Sequence, residues 1–251
     1  MIIAYTGKGG SGKSTLAALT IRAIYENKPG TSILAVDADP NTTLNYLLGV
    51  KLEKTVGDVR EMLATGKTKP PEGVTTEDYL RVLINETIVE TDKFDLIAMG
   101  RGEGPGCYCY VNHLLRKVLD ELAWEYDYVV MDAEAGLEHI SRRTTRDVDV
   151  MFIVVDPAAR SVLTAKRIRE LVNQLENRCG RLEVILNRVK PGVKEKLEEK
   201  VKEEGFEVAG AIPEDPLVAE FDLEGKPLTQ LPSNSPAYKA VKEILTRARI
   251  L

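Results

Sequence analysis

Residues 1–24 read MIIAYTGKGGSGKSTLAALTIRAI, and this stretch decides the fold. A short β-branched and aromatic run, Met1–Thr6, gives way to GKGGSGKST at residues 7–15, and an apolar pattern with helical spacing follows over Ser14–Glu26. Strand, glycine-rich turn and helix in that order, with G-x-x-x-x-G-K-[ST] at the turn, form the phosphate-loop pattern. Backbone amides must wrap a polyanion there, and Gly7, Gly9, Gly10 and Gly12 permit φ angles and close approaches that a Cβ would obstruct. Lys13 adds a point charge, Ser14 offers a hydroxyl to Mg²⁺, and the positive end of the helix starting near Lys13 favours the phosphates further. Gly9, Gly10, Ser11, Gly12, Lys13, Ser14 and Thr15 are therefore the expected nucleotide-binding residues, with ATP and Mg²⁺ as the ligands.

Outward from this unit, short apolar runs recur at Ser32–Val36, Asp95–Met99, Tyr128–Met131, Val150–Val155, Leu182–Leu186 and Glu207–Ile212. Between most of them lie stretches of helical periodicity, at His113–Trp124, Val162–Leu175 and Gly192–Glu204. Continuous apolar strands alternating with helices predict an α/β fold with a mainly parallel central sheet covered on both faces, and ligands at the carboxyl ends of the strands. The chain has 251 residues, 43% hydrophobic and 29% charged, which suits a single phosphate-loop domain spanning 1–251. The Thr65–Gly73 stretch reads as a surface loop inside that domain.

Composition excludes several classes. With 39 acidic against 34 basic side chains and a net charge of -5, the chain lacks the basic footprint of a dedicated nucleic-acid binder. Three cysteines argue against a disulfide framework and for a reducing, cytoplasmic compartment. No signal peptide or transmembrane segment is read, because the longest purely apolar run, Val150–Val155, is far too short to span a bilayer.

Lys8 is a second lysine that the ordinary phosphate loop does not ask for. KGGSGKS resembles the deviant loop of the family that includes the nitrogenase iron protein, MinD-like division-site ATPases and ParA-like partition ATPases. The resemblance implies an ATPase that forms a homodimer sandwiching ATP, in which Lys8 crosses to the partner's nucleotide and stabilises charge on the transferring phosphoryl group, as an arginine finger does. Three more segments match in order. ILAVDADPN places Asp37 and Asp39 just past the second strand, where a carboxylate can meet Mg²⁺ or orient an attacking water, and the resemblance gives the water to Asp39. YVVMDAEAG places Asp132 at a strand end as a magnesium-side acid, with Gly136 in a second switch loop. LNRV with Asn187, and IPED with Pro213 and Asp215, resemble the adenine-side elements, and the Asn187 amide offers both a donor and an acceptor.

Residues 104–113 read GPGCYCYVNH. Residues two apart share one face of an extended segment, so Cys107 and Cys109 can point together, and a disulfide across one residue would be strained. Two thiolates are half of a four-coordinate shell, and a twofold axis doubles them. Such ligands take zinc, copper(I) or square-planar nickel and do not name the metal. The bland alternative is a pair of half-buried thiols. GCYCYVNHLL and DAEAGLEH resemble the CooC-type accessory ATPases of carbon monoxide dehydrogenase maturation. That resemblance implies Ni²⁺ or Zn²⁺ at the cysteine pair, nickel handling, and a client metalloenzyme such as carbon monoxide dehydrogenase. Iron–sulfur relatives differ, using C-x-x-C near the C-terminus or cysteines much further apart. His113 could add a nitrogen ligand, and Cys179 reads as a stray buried thiol.

A rival reading is a MinD/ParA-like membrane- or DNA-cycling ATPase. Ala237–Leu251 combines Val241, Ile244, Leu245 and Ile250 with Lys239, Lys242, Arg247 and Arg249, a pattern that suits an amphipathic anchor or a terminal helix docked on its own sheet. The DNA version has the charge balance against it, and neither version explains C-x-C.

Overall fold

The computed structural model describes residues 1–101, 117–118, 120–133, 148–174 and 179–251. Eight strands form one sheet in the order β3-β4-β2-β5-β1-β6-β7-β8. They are β1 (Ile2–Gly7), β2 (Ile33–Asp37), β3 (Val89–Glu90), β4 (Asp95–Ala98), β5 (Tyr128–Asp132), β6 (Val148–Val155), β7 (Cys179–Val189) and β8 (Glu207–Pro213). All neighbours run parallel except the two-residue edge strand β3, which pairs antiparallel with β4.

Buried on both faces, the central strand β1 has six enclosed residues, as its unbroken apolar run predicts. Alternation sends Ile3 and Tyr5 to one side and Ile2 and Ala4 to the other, so the sheet separates two cores. One core is covered by α1 (Lys13–Asn27), α2 (Leu44–Leu48) and α8 (Pro236–Arg247). The other is covered by α3 (Val56–Ala64), α4 (Thr76–Asn85), α5 (Ala159–Gln174) and α6 (Lys194–Glu203). Helix α7 (Pro216–Leu223) follows β8 and buries no residue fully.

Capping explains several of the helix starts. Thr55 and Asp58 form a reciprocal capping box on α3, Thr75 accepts from Asp78 N on α4, and Ser235 accepts from Tyr238 N on α8. Buried Arg22 ties α1 to the C-terminal segment: it donates to Glu26 Oε1 at 2.7 Å, to the Leu228 and Leu231 carbonyls, and stacks 4.3 Å from the Tyr238 ring centroid.

Helix α8 resolves the two readings of the C-terminal segment. Val241, Ile244, Leu245 and Ile250 are all buried in the core that α8 shares with α1. Lys239, Arg247 and Arg249 face outward, so the apolar face is occupied by the protein itself. No helix among the described residues is long and apolar enough to cross a membrane.

Candidate nucleotide site

Parallel pairing brings the strand ends to one edge. Gly7 lies opposite Val154, Tyr5 opposite Asp132, and Asp132 opposite Asp37, so the phosphate loop and two aspartates share the carboxyl edge of three adjacent strands.

The loop's shape follows from its glycines. Gly7 has φ 146 and a Cβ there would sit 2.5 Å from the Val154 carbonyl oxygen, while Gly12 has φ 98 and a Cβ there would sit 2.3 Å from Asn187 Nδ2. No side chain fits at either place. At Gly9 and Gly10 a Cβ would meet nothing within 4 Å, so the loop's crest faces open space. Helix α1 begins at Lys13 with no side-chain cap on Gly12 and no acidic residue in its first turn. Its first amides are left for an anion, which the helix dipole favours. Lys13 is buried at the loop's base, and the Ser11 hydroxyl is buried without a partner among the described residues.

The aspartates divide by environment. Asp37 is fully buried; one of its oxygens accepts from Asp39 N at 3.1 Å and the other from Leu44 N at 2.9 Å. It shapes the loop that carries Asp39 and Thr43. Asp39 is half-buried and accepts from Asn41 N at 2.8 Å. Asp132 is 1% exposed, and neither carboxylate oxygen accepts a hydrogen bond among the described residues. The Ser14 hydroxyl lies close enough to lower the Asp132 pKa without making a hydrogen bond to either carboxylate oxygen. Burial pushes both Asp37 and Asp132 up to about 6; Lys13 draws Asp132 back partway and Asp39 opposes that.

Three sets of contacts were not foreseen. Lys8 Nζ lies 3.0 Å from Asp156 Oδ2 just past β6, so within this chain it is paired in cis. Burial would raise the Asp156 pKa, but the Ser161 hydroxyl and Lys8 outweigh it and hold the carboxyl below its ordinary range. Thr43 Oγ1 donates to Ser14 Oγ at 3.3 Å, joining the loop after β2 to the phosphate loop. At the end of β7, Asn187 Nδ2 donates to the Ser11 carbonyl at 2.7 Å and Arg188 donates to the Gly10 carbonyl at 3.1 Å. Position helps explain the first and third: Asp156 ends the longest apolar run and Arg188 is the neighbour of Asn187, but no motif singles them out.

On the adenine side, Pro213 ends β8 opposite Val189. The Asp215 carboxylate is engaged within the chain. It accepts from Ser235 Oγ at 2.5 Å, Ala237 N at 3.0 Å and Leu217 N at 3.0 Å, capping α7 and bracing the start of α8. Cys107, Cys109, His113 and Gly136 lie outside the described residues. Among those described, no group of three or more His, Cys, Asp or Glu is placed to hold a metal ion. Cys179 opens β7 half-buried, its thiol pKa raised by burial.

An eight-stranded, mainly parallel sheet with a phosphate loop after its central strand and, beside it, a buried aspartate unpartnered among the described residues defines a nucleotide-binding protein of the phosphate-loop class. The chain belongs to the CobQ/CobB/MinD/ParA nucleotide binding domain family, whose model matches residues 2–228. It is 49% identical over 246 residues to an uncharacterized ATP-binding protein of Methanocaldococcus jannaschii, covering 97% of this chain and 96% of that protein. It is 33% identical over 186 residues to the carbon monoxide dehydrogenase accessory protein CooC of Rhodospirillum rubrum, covering 70% of each. The solved MinD cell division protein of Aquifex aeolicus superposes with a TM-score of 0.71 at 25% identity, covering 99% of this chain and 96% of that one.

Proposed function

We propose that the chain is a magnesium-dependent ATPase that dimerises around its nucleotide and handles nickel, or a similar divalent metal, for a client such as carbon monoxide dehydrogenase. The observation that carries the ATPase reading is Asp132, a buried carboxylate without a hydrogen bond among the described residues, beside Ser14 and Lys13. Such a group costs stability unless a cation meets it, and the donor set fits magnesium: Ser14 and Asp132 would hold it, with Asp37 fixing the loop behind. When bound, the ion would neutralise charge building on the phosphates.

The chain's own residues supply the rest. The α1 amides and Lys13 hold the polyphosphate, and Asp39, on the loop tied to Asp37 and Ser14, orients the attacking water. Lys8, held by Asp156 within one protomer, turns to the partner's nucleotide in the dimer.

Metal handling rests on the Cys107–Tyr108–Cys109 segment and on the likeness to the accessory protein CooC. Four thiolates, two per protomer, complete one shell on the twofold axis. The test is metal content and native mass, with and without ATP, for the wild type and for a variant carrying Cys107→Ala and Cys109→Ala. One metal per dimer in the wild type and none in the variant is expected. Equal metal content in both would refute the shared site.

A further inference from the structure

We propose that Asn187 and Arg188 act together as a brace that sets the peptide planes of the phosphate loop, making them positioning residues for the polyphosphate rather than for the base alone. This rests on the ATP-binding reading.

Side chains of successive strand residues point to opposite faces, so neighbours at a strand end do not ordinarily reach the same loop. Arg188 breaks the alternation. Its φ is 55, in the left-handed region that a non-glycine residue adopts at a cost, and the β7–β8 register shifts between Leu186 and Val189. The outcome is that both side chains land on consecutive carbonyls of the loop: Asn187 Nδ2 on Ser11 O and Arg188 on Gly10 O.

Carbonyl and amide of one trans peptide point in opposite directions. Holding the Ser11 carbonyl against Asn187 therefore turns the Gly12 amide away from Asn187, free for an anion. The Gly10–Ser11 peptide is fixed twice, because Arg188 takes its carbonyl while its amide donates to Lys8 O at 3.1 Å. A flip of the Ser11–Gly12 peptide would put a carbonyl oxygen where phosphate oxygens must go, and a flip of the Gly10–Ser11 peptide would set the Gly10 carbonyl against the Lys8 carbonyl and break the turn that shapes the loop. Gly10 and Gly12, at φ 75 and 98, are the residues most free to allow such flips. A brace against flipping is preorganisation: the donors are aimed before the anion arrives. The fit at Gly12, where a Cβ would stand 2.3 Å from Asn187 Nδ2, shows how closely the amide side chain is seated.

The test is calorimetric titration of the full chain with ATP and, separately, with inorganic tripolyphosphate, which has no base. Arg188→Gly keeps the left-handed backbone at no cost and removes only the exposed guanidinium, so the fold survives. It should weaken both ligands by the same factor, about tenfold. Asn187→Asp, which sets a carboxylate against the Ser11 carbonyl, should weaken tripolyphosphate further, by about a hundredfold. Arg188→Gly that weakens ATP but leaves tripolyphosphate unchanged would make Arg188 a base contact and overturn the brace, as would unchanged affinity for both. A wild type that binds neither ligand would overturn the nucleotide reading itself, and the brace with it.

Discussion

Asp132 and Asp215 are both buried aspartates at or just past the end of a parallel strand, and they do opposite things. Asp215 receives three hydrogen bonds from Ser235, Ala237 and Leu217 and anchors two helices. Asp132 receives none among the described residues, and burial lifts its pKa to about 6. A saturated carboxylate stabilises the fold; a bare one costs stability and is tolerated where something else completes it. The contrast separates scaffold from site more sharply than position in the sequence does.

Lys13→Ala removes the charge at the base of the phosphate loop and should weaken ATP at least about a hundredfold by direct titration, with the fold retained. Asp215→Ala should lower unfolding free energy by about 2–4 kcal/mol in denaturant melts, through the lost cap and orphaned partners, while the folded fraction still binds ATP. Asp132→Asn should do the reverse. Without nucleotide it should gain about 1–2 kcal/mol at pH 7, because an unpaired buried charge is gone, and it should lose magnesium-dependent turnover.

The pH dependence sharpens the same contrast. The folded-state pKa of Asp132 stands above its ordinary value, so the folded protein binds that proton more tightly than the unfolded chain. Its contribution is fully present below about 3.8 and is lost as pH rises through about 6. The stability advantage of Asp132→Asn should therefore grow between those pH values and stay level above them, measured as the difference between the two melts. A smaller effect falls on Lys8→Ala. Loss of its partly exposed pair with Asp156 should change monomer stability by less than about 1 kcal/mol, while turnover and ATP-driven association fall. Native mass with and without ATP, beside a phosphate-release assay, checks it.

Much of the fold is legible because its signals are long. The apolar runs ending near Thr6, Val36, Met131 and Val155 become β1, β2, β5 and β6, and GKGGSGKST becomes the loop before α1. What is missed is short or unpatterned. β3 has two residues, α2 has five, and α7 buries no residue fully, so none of them shows a sustained apolar repeat. β7 starts at Cys179, ahead of the apolar run, because exposed Gly180 and Arg181 still take part in the strand that pairs with β6. In the site, the loop is readable from spacing, and Asp132 is singled out by the resemblance of YVVMDAEAG. The commitment of Asp215 to caps, the pairing of Lys8 with Asp156 and the reach of Arg188 depend on contacts far apart in the chain, which no local pattern encodes.

The magnesium role proposed for Asp132 rests on a carboxylate that has no hydrogen bond among the described residues. Its most direct test is ATP affinity with and without Mg²⁺, for the wild type and Asp132→Asn at pH 7. Magnesium should tighten ATP binding by about tenfold or more in the wild type and leave Asp132→Asn nearly unchanged. An equal magnesium-dependent gain in both proteins would contradict it.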